Sequence, residues 1–304
     1  MEMITSEIKV TNLEKKYKSF ALNVPELVIP KGYCTALIGE NGAGKTTLLN
    51  CLAGVRRDYK GQIEYFGQYN DRDREHNPAV KENIGYTGPN LYFLPSWTIK
   101  QVKEIGSMLF DTFDGEEFER IMVEIGMGGE SGEKIDWNKK VSSLSSGNRM
   151  KLAMAFVLAR DKELLILDEP ASPLDPLMRD KLCEMLRDYL VSREGERTIF
   201  CSTHNVADME QVTDYAVFLE HGEVVEQGFV EELKEKYIMV KGEESDIEKA
   251  KEVLYSISVN RYGFEGICLS ENLDKLAGLD VATEQASLSQ ITVAIMKNNT
   301  SLRG

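Results

Sequence analysis

The sequence predicts an α/β fold with a parallel core sheet, and three observations carry that expectation. First, the apolar run Cys34, Ala36, Leu37 and Ile38 leads into Gly39-Glu40-Asn41-Gly42-Ala43-Gly44-Lys45-Thr46-Thr47, after which Leu48, Leu49, Leu52 and Ala53 recur at helical spacing. Second, strand-like and helix-like stretches alternate from Asn148 to Leu219, the pattern of a sheet fed by crossover helices. Third, helical periodicity alone interrupts that order, within a subdomain of about residues 90–160.

Taken in order, Ile8–Val10 and Leu27–Ile29 predict antiparallel strands bounded by Pro25, Pro30 and Gly32, with Tyr17 between them. Gly61–Gly67 predicts a short strand, Asn70–His76 a charged loop, and Ile84–Tyr86 a strand end followed by irregular Thr87–Asn90. Val102, Ile105, Leu109 and Phe113 mark one helical stripe, and Phe118, Ile121, Met122 and Ile125 a second. The glycines of Gly126–Gly132 mark a connector. Helices are expected at Asn148–Arg160, Pro176–Ser192 and Asn205–Gln211, and strands at Leu164–Leu167, Thr198–Ser202 and Ala216–Leu219. A hairpin turn at Glu220–Glu223 leads into Val224-Val225, then a helix at Val230–Lys236. A small α/β appendage follows: strands at Tyr237–Val240, Ser256–Val259 and Gly266–Leu269, helices at Ser245–Leu254 and Ser287–Met296. The expected division is therefore 1–236 and 237–304.

The 304 residues carry 42% hydrophobic residues and a net charge of −14. That balance supplies a core and argues against a nucleic-acid clamp, which presents a basic face. The five cysteines are odd in number, widely spread and free of any C-x-x-C pair, as in a cytosolic protein with reduced thiols. Met1–Glu7 has no basic n-region and no apolar h-region, so no secretory signal is expected. The longest apolar run, Leu152–Ala159, is far too short to span a bilayer, so any membrane role must come through a partner.

Strand, Gly-x4-Gly-Lys-Thr and helix together make a phosphate cradle. Gly39, Gly42 and Gly44 let oxygens approach the backbone, and successive N–H groups with the helix N-terminus face one anion. Lys45 can neutralise phosphate charge and the Thr46 hydroxyl can ligate Mg²⁺, so a nucleotide triphosphate is the expected ligand. Leu164–Leu167 ends in Asp168-Glu169, where neighbouring carboxylates at a strand end take different directions. Asp168 suits the Mg²⁺ shell and Glu169 the orientation of attacking water. Leu144-Ser145-Ser146-Gly147-Asn148 opens an apolar helix, either as a second anion site or as an ordinary N-cap.

In combination these motifs resemble the nucleotide-binding subunits of the ATP-binding cassette (ABC) family. The matching elements are Gly39–Thr47, Leu144–Asn148, Leu164–Glu169, Ser172-Pro173-Leu174-Asp175 and His204 after Thr198–Thr203, within about residues 7 to 236. The resemblance implies a P-loop NTPase core of ABC type with an antiparallel β subdomain, a helical insert and the C-terminal appendage. It implies ATP and Mg²⁺ bound by Gly39, Asn41, Gly42, Ala43, Gly44, Lys45, Thr46 and Thr47, with Tyr17 stacking on adenine. Asp168 joins Thr46 at the metal, Glu169 is the base with Lys45, and His204 is the switch histidine at the γ-phosphate. Two domains would sandwich two ATP molecules head to tail, each P-loop facing the other chain's Leu144, Ser145, Ser146, Gly147 and Asn148, with Asp175 in the interface loop.

The sequence departs from the family pattern where Ser146 replaces glycine, Asn148 replaces glutamine and Pro173 replaces glycine. The family's glutamine after Ile84-Gly85-Tyr86 would fall at Pro89, which has no side-chain oxygen, and the role is unassigned between none and Asn90. The helical insert is where the family docks a membrane partner. Tyr92, Phe93 and Trp97 suit such a groove or the subdomain's own core equally. The expected partners are transmembrane permease subunits and a homodimeric or heterodimeric ATPase mate, with no nucleic acid, at the inner face of the cell membrane. The look is closest to exporters of peptide, antibiotic or other hydrophobic cargo. A non-transport ABC-type ATPase of ribosome or DNA is the alternative, although its usual second cassette or coiled coil is missing. A P-loop GTPase or kinase would leave Leu144–Asn148 unexplained, and no Asn-Lys-x-Asp guanine reader is present.

Overall fold

A computed structural model describes residues 5–73, 75, 77–88, 93–128, 134–193 and 195–302, with backbone alone for 298–302. Pro89, Asn90 and Tyr92, and Gly129–Gly132 of the connector, lie outside the described residues.

The chain opens with strands β1 (Ser6–Lys16) and β2 (Ala21–Pro30), then β3 (Cys34–Ile38) and helix α1 (Lys45–Leu52). Strands β4 (Lys60–Tyr65) and β5 (Tyr69–Asn70), helix α2 (Asn77–Glu82) and strand β6 (Ile84–Thr87) follow. Helices α3 (Ile99–Leu109), α4 (Gly115–Glu124) and α5 (Ser146–Leu158) form the insert. The core resumes with β7 (Leu164–Asp168), α6 (Pro176–Val191), β8 (Thr198–Thr203), β9 (Tyr215–Glu220), β10 (Glu223–Phe229) and α7 (Val230–Lys236).

These strands make one ten-stranded sheet, ordered β5-β4-β1-β2-β10-β9-β3-β8-β7-β6. From β9 to β6 every neighbour is parallel; β4, β1 and β2 form the antiparallel part. Parallel core strands are covered on both faces and read as unbroken apolar runs. On β7, Leu165 and Leu167 pack with α5 and α6, whereas Leu164 and Ile166 pack with Leu48, Leu49 and Leu52 of α1. The carboxyl ends of β3, β8 and β7 are therefore adjacent, and the loops that follow them share one edge.

β1 and β2 are longer than the sequence suggests, because β2 continues through Pro25. The missing N–H costs little there: Pro25 is skipped in the β1 register opposite Asn12, and β2 meets β10 only at Asn23. The helix expected at Asn205–Gln211 is a single 3₁₀ turn at Val206–Asp208. Thr203 Oγ1 takes the Asn205 N–H, and Asn205 Nδ2 holds Asp208, so local side-chain bonds replace helical ones.

The second sheet starts immediately after α7. It is antiparallel, ordered β12 (Tyr255–Asn260), β13 (Gly263–Leu269), β11 (Tyr237–Gly242), β14 (Val281–Gln285). α8 is only Ile247–Ala250, shorter than expected, and the exposed, polar β14 carried no recognisable strand pattern. The last helix, α9 (Leu288–Leu302), buries Leu288, Ile291, Ala294 and Ile295 in the same apolar cluster as α5, α6 and α7. Glu210 fastens its first turn, accepting from the Leu288 N–H at 3.1 Å. The two sheets thus share one core across the Lys236–Tyr237 junction.

Candidate nucleotide site

The loop after β3 turns at Gly42 (φ +89°) and Gly44 (φ +111°), a backbone region closed to ordinary side chains. It is held from behind by the β9–β10 hairpin. The Gly222 N–H donates to the Ala43 carbonyl at 2.9 Å, and a Cβ on Gly39 would lie 2.4 Å from the Leu219 carbonyl oxygen. Lys45, 6% exposed, donates from Nζ to the Gly39 and Glu40 carbonyls at 2.7 and 3.2 Å. Asn41 and Thr46 are exposed, Thr47 half-buried and Ala43 buried.

At the end of β7, Asp168 is 2% exposed; its Oδ1 accepts from Ser202 Oγ at 2.5 Å, and its Oδ2 is buried without a partner. Glu169 turns the chain at φ +53°. Its Oε2 lies 2.7 Å from Nδ1 of His204, and its Oε1 lies 3.2 Å from Nζ of Lys45. The second contact is a charge pair without hydrogen-bond alignment, since Oε1 has no hydrogen-bond partner. The structure thus brings Lys45, Glu169 and His204 into one cluster from three adjacent strand ends. Sequence reasoning overlooked Ser202, whose signal was a hydroxyl directly after the apolar run Ile199-Phe200-Cys201 of a core strand.

The donor set fits Mg²⁺. An orphaned, buried carboxylate oxygen and an exposed Thr46 hydroxyl are hard oxygen ligands, and this ion typically takes one or two carboxylates and completes its shell with phosphates and water.

Tyr17 is 41% exposed, with Lys15 Nζ and Arg56 Cζ at 5.2 and 5.5 Å from its ring centroid. It reaches the phosphate loop through Phe20: the two rings are 6.2 Å apart, and a Cβ on Gly44 would meet Phe20 at 2.7 Å. Ser145 caps α5, accepting from the Asn148 N–H at 3.2 Å, and Leu144 is buried behind it. Asp175 caps α6 in the same way, accepting from Met178 N–H at 3.1 Å. These two side chains are occupied as caps, leaving Ser146 exposed and Gly147 half-buried in the first turn of α5. A Cβ on Gly147 would stand 3.0 Å from the Pro173 carbonyl, so the two loops touch within one chain. Ser146, Arg149, Ser172 and Pro173 share a cavity of about 470 Å³ with Asp168 and Glu169.

A second cavity, about 430 Å³, lies between the end of α1, β6 and the insert, lined mainly by apolar groups including Val55, Tyr86, Phe93, Trp97 and Ile105. Phe93 and Trp97 both line it and pack on the core, Phe93 with its ring 5.0 Å from Phe156. Leu109, expected in the buried stripe of α3, is 68% exposed at the rim. Arg160 lines the same groove, its guanidinium 3.8 Å from the Phe110 ring centroid, and burial pushes its pKa down. Among the described residues no helix is long and apolar enough to cross a membrane.

Comparison with known proteins agrees with this geometry. A family model described as ABC transporter matches residues 22–172, and one described as an AAA domain matches residues 138–208. The chain is 33% identical over 221 residues to the tungstate uptake system ATP-binding protein TupC of Peptoclostridium acidaminophilum, covering 72% of this chain and 97% of that one. It is 29% identical to an uncharacterized ABC transporter ATP-binding protein of Nostoc sp., covering 90% of this chain and 82% of that one. A solved structure described as the ATP-binding subunit of an ABC transporter shares the fold with a TM-score of 0.62 at 23% identity, covering 75% of this chain and 92% of that one.

Proposed function

Since this chain belongs to the ATP-binding proteins of ABC transporters, and is thereby an ATP-binding subunit and an ATPase, we propose that its turnover drives a permease through closure and reopening of an ATP-bound dimer. The cluster of Lys45, Glu169 and His204, drawn within 3.2 Å of one carboxylate from three strand ends, carries this reading. Glu169 takes the proton of the attacking water, Lys45 and the amides of Gly42–Thr46 hold phosphate charge, and His204 monitors the γ-phosphate. Thr46 and Asp168 would hold Mg²⁺, which when bound would supply charge neutralisation to the phosphates. Tyr17 stacks on adenine. Ser146, Gly147 and Asn148 close over the mate's ATP, and Asp175 lies in the loop that crosses the interface. Residues 1–236 act as the motor and 237–304 as an appendage on it.

In this reading the permease docks in the apolar groove beside Trp97 and Phe93, with the subunit on the cytoplasmic face of the membrane; the groove's apolar lining supports it. The expected export of peptide, antibiotic or other hydrophobic cargo draws no support from TupC, an uptake ATPase. The mate is a second copy or a related ATPase; the ribosome or DNA alternative has no observation in its favour. The test is Glu169→Gln: hydrolysis should fall at least about a hundredfold while an ATP-dependent dimer accumulates on a sizing column. Wild-type turnover in that variant overturns the reading.

A further inference from the structure

Ser202 lies within β8 and is fully buried. The parallel register of β7 and β8 sets it opposite Asp168. Its hydroxyl is engaged twice, donating to Asp168 Oδ1 at 2.5 Å and accepting from the Glu169 N–H at 3.0 Å. One buried side chain therefore holds both members of the acidic pair.

Each contact has a consequence. A hydroxyl has one proton to give, and here Oδ1 takes it, which fixes the carboxylate plane and leaves Oδ2 buried and unpartnered. Glu169 occupies φ +53°, a strained region that a non-glycine residue keeps only where its surroundings hold it there. The bond from its N–H to Ser202 is such a hold, at the residue whose carboxylate meets Lys45 and His204. A valine or isoleucine, the ordinary occupants of a parallel core strand, would leave the Glu169 N–H and Asp168 Oδ1 without these bonds.

We propose that Ser202 is a positioning residue for the metal ligand and the base together. It locks Asp168 with Oδ2 free for the metal, and it holds Glu169 in the turn that aims its carboxylate. This rests on the roles given above to Asp168 and Glu169.

The test uses the full chain with Mn²⁺ in place of Mg²⁺ and a non-hydrolysable ATP analogue, Mn²⁺ binding being read by electron paramagnetic resonance without turnover. Residues that orient metal ligands typically change metal affinity by about 10–100-fold, so Ser202→Ala should raise the half-saturating Mn²⁺ concentration at least about tenfold. Ser202→Thr should restore it, and kcat should fall in Ser202→Ala while KM for ATP stays unchanged. In an Asp168→Asn background Ser202→Ala should add no further weakening, because it acts through that carboxylate. Wild-type Mn²⁺ binding in folded Ser202→Ala, or equal weakening in both backgrounds, overturns the proposal. If Asp168→Asn alone leaves Mn²⁺ binding intact, the metal reading of Asp168 falls, and this proposal with it. Should Ser202→Ala fail to fold, Ser202→Thr and Ser202→Val fill nearly the same volume and differ by the hydroxyl. The threonine must then bind Mn²⁺ more tightly, and equal affinities refute the idea.

Discussion

Nδ1 of His204 and Oε2 of Glu169 are 2.7 Å apart, and the other oxygen of the same carboxylate lies 3.2 Å from Nζ of Lys45. The carboxylate at the end of β7 therefore holds the two side chains that would face a γ-phosphate. Under the proposed function, arrival of that phosphate would offer Lys45 and His204 a second acceptor and free Glu169 to orient water.

His204→Ala should lower ATP turnover about a hundredfold, the ordinary contribution of a positioned acid–base or hydrogen-bonding group. Its side chain is 40% exposed, so thermal stability should stay within about 0.5 kcal/mol of wild type. Steady-state ATPase rates and a melting curve measure both, and a large loss of stability would refute the assignment.

Glu7 gives a pH signature unrelated to catalysis. It is fully buried, both carboxylate oxygens lack partners, and its pKa is raised to about 7, chiefly by desolvation, with Lys31 opposing and Glu163 adding. Because the folded pKa lies above the unfolded one, the fold is favoured while Glu7 stays protonated and loses stability as pH rises through 7. The shift corresponds to about 3 kcal/mol. Denaturant melts at pH 5.5 and 8.5 should differ by less in Glu7→Gln than in wild type; equal differences would refute the link.

Lys162 is 1% exposed, and its ammonium bonds Glu82 Oε1 at 2.6 Å and Thr112 Oγ1 at 2.8 Å, tying α2 and the insert to the start of β7. Lys162→Ala should cost about 2–3 kcal/mol, below the usual loss for a fully buried pair because Glu82 can rehydrate. Lys162→Met, which keeps the buried stem, should recover at least half of it. Chemical denaturation of the two variants checks the ranking.

Ile291 of α9 is fully buried in the cluster shared with α5 and α6. Ile291→Ala should lower stability by about 2–5 kcal/mol and move the unfolding of both sheets together. Calorimetry checks this: two transitions, of which only one shifts, would refute the shared core.

Much of this was readable in the chain. Apolar runs ending in Gly39 or in Asp168-Glu169 announce parallel strands with chemistry at their carboxyl ends, since a doubly covered strand must be apolar throughout. His204 was readable from motif order alone. Other features depend on distant contacts. Pro25 looked like a strand boundary, but β1 and β2 keep their register on either side of the Asn12–Pro25 position, and the other flank of β2 is almost unpaired, so β2 passes through it. β14, Val-Ala-Thr-Glu-Gln, has one paired edge and hardly any buried face, so no period was there to read. The Asn205–Gln211 stretch lost its helix to local side-chain bonds, the Thr203 hydroxyl taking the Asn205 N–H and the Asn205 amide donating to the Asp208 carboxylate.

The hairpin behind the phosphate loop has a kinetic consequence. Gly222 grips Ala43, Leu219 presses on Gly39, and the ammonium of Lys45 rests on two carbonyls of the loop itself. These contacts within the protein shape the loop by themselves, so nucleotide capture should carry little ordering entropy. On the dimer proposed above, exchange of spent for fresh nucleotide would be governed by the opening of the two-chain sandwich, not by rebuilding of the loop.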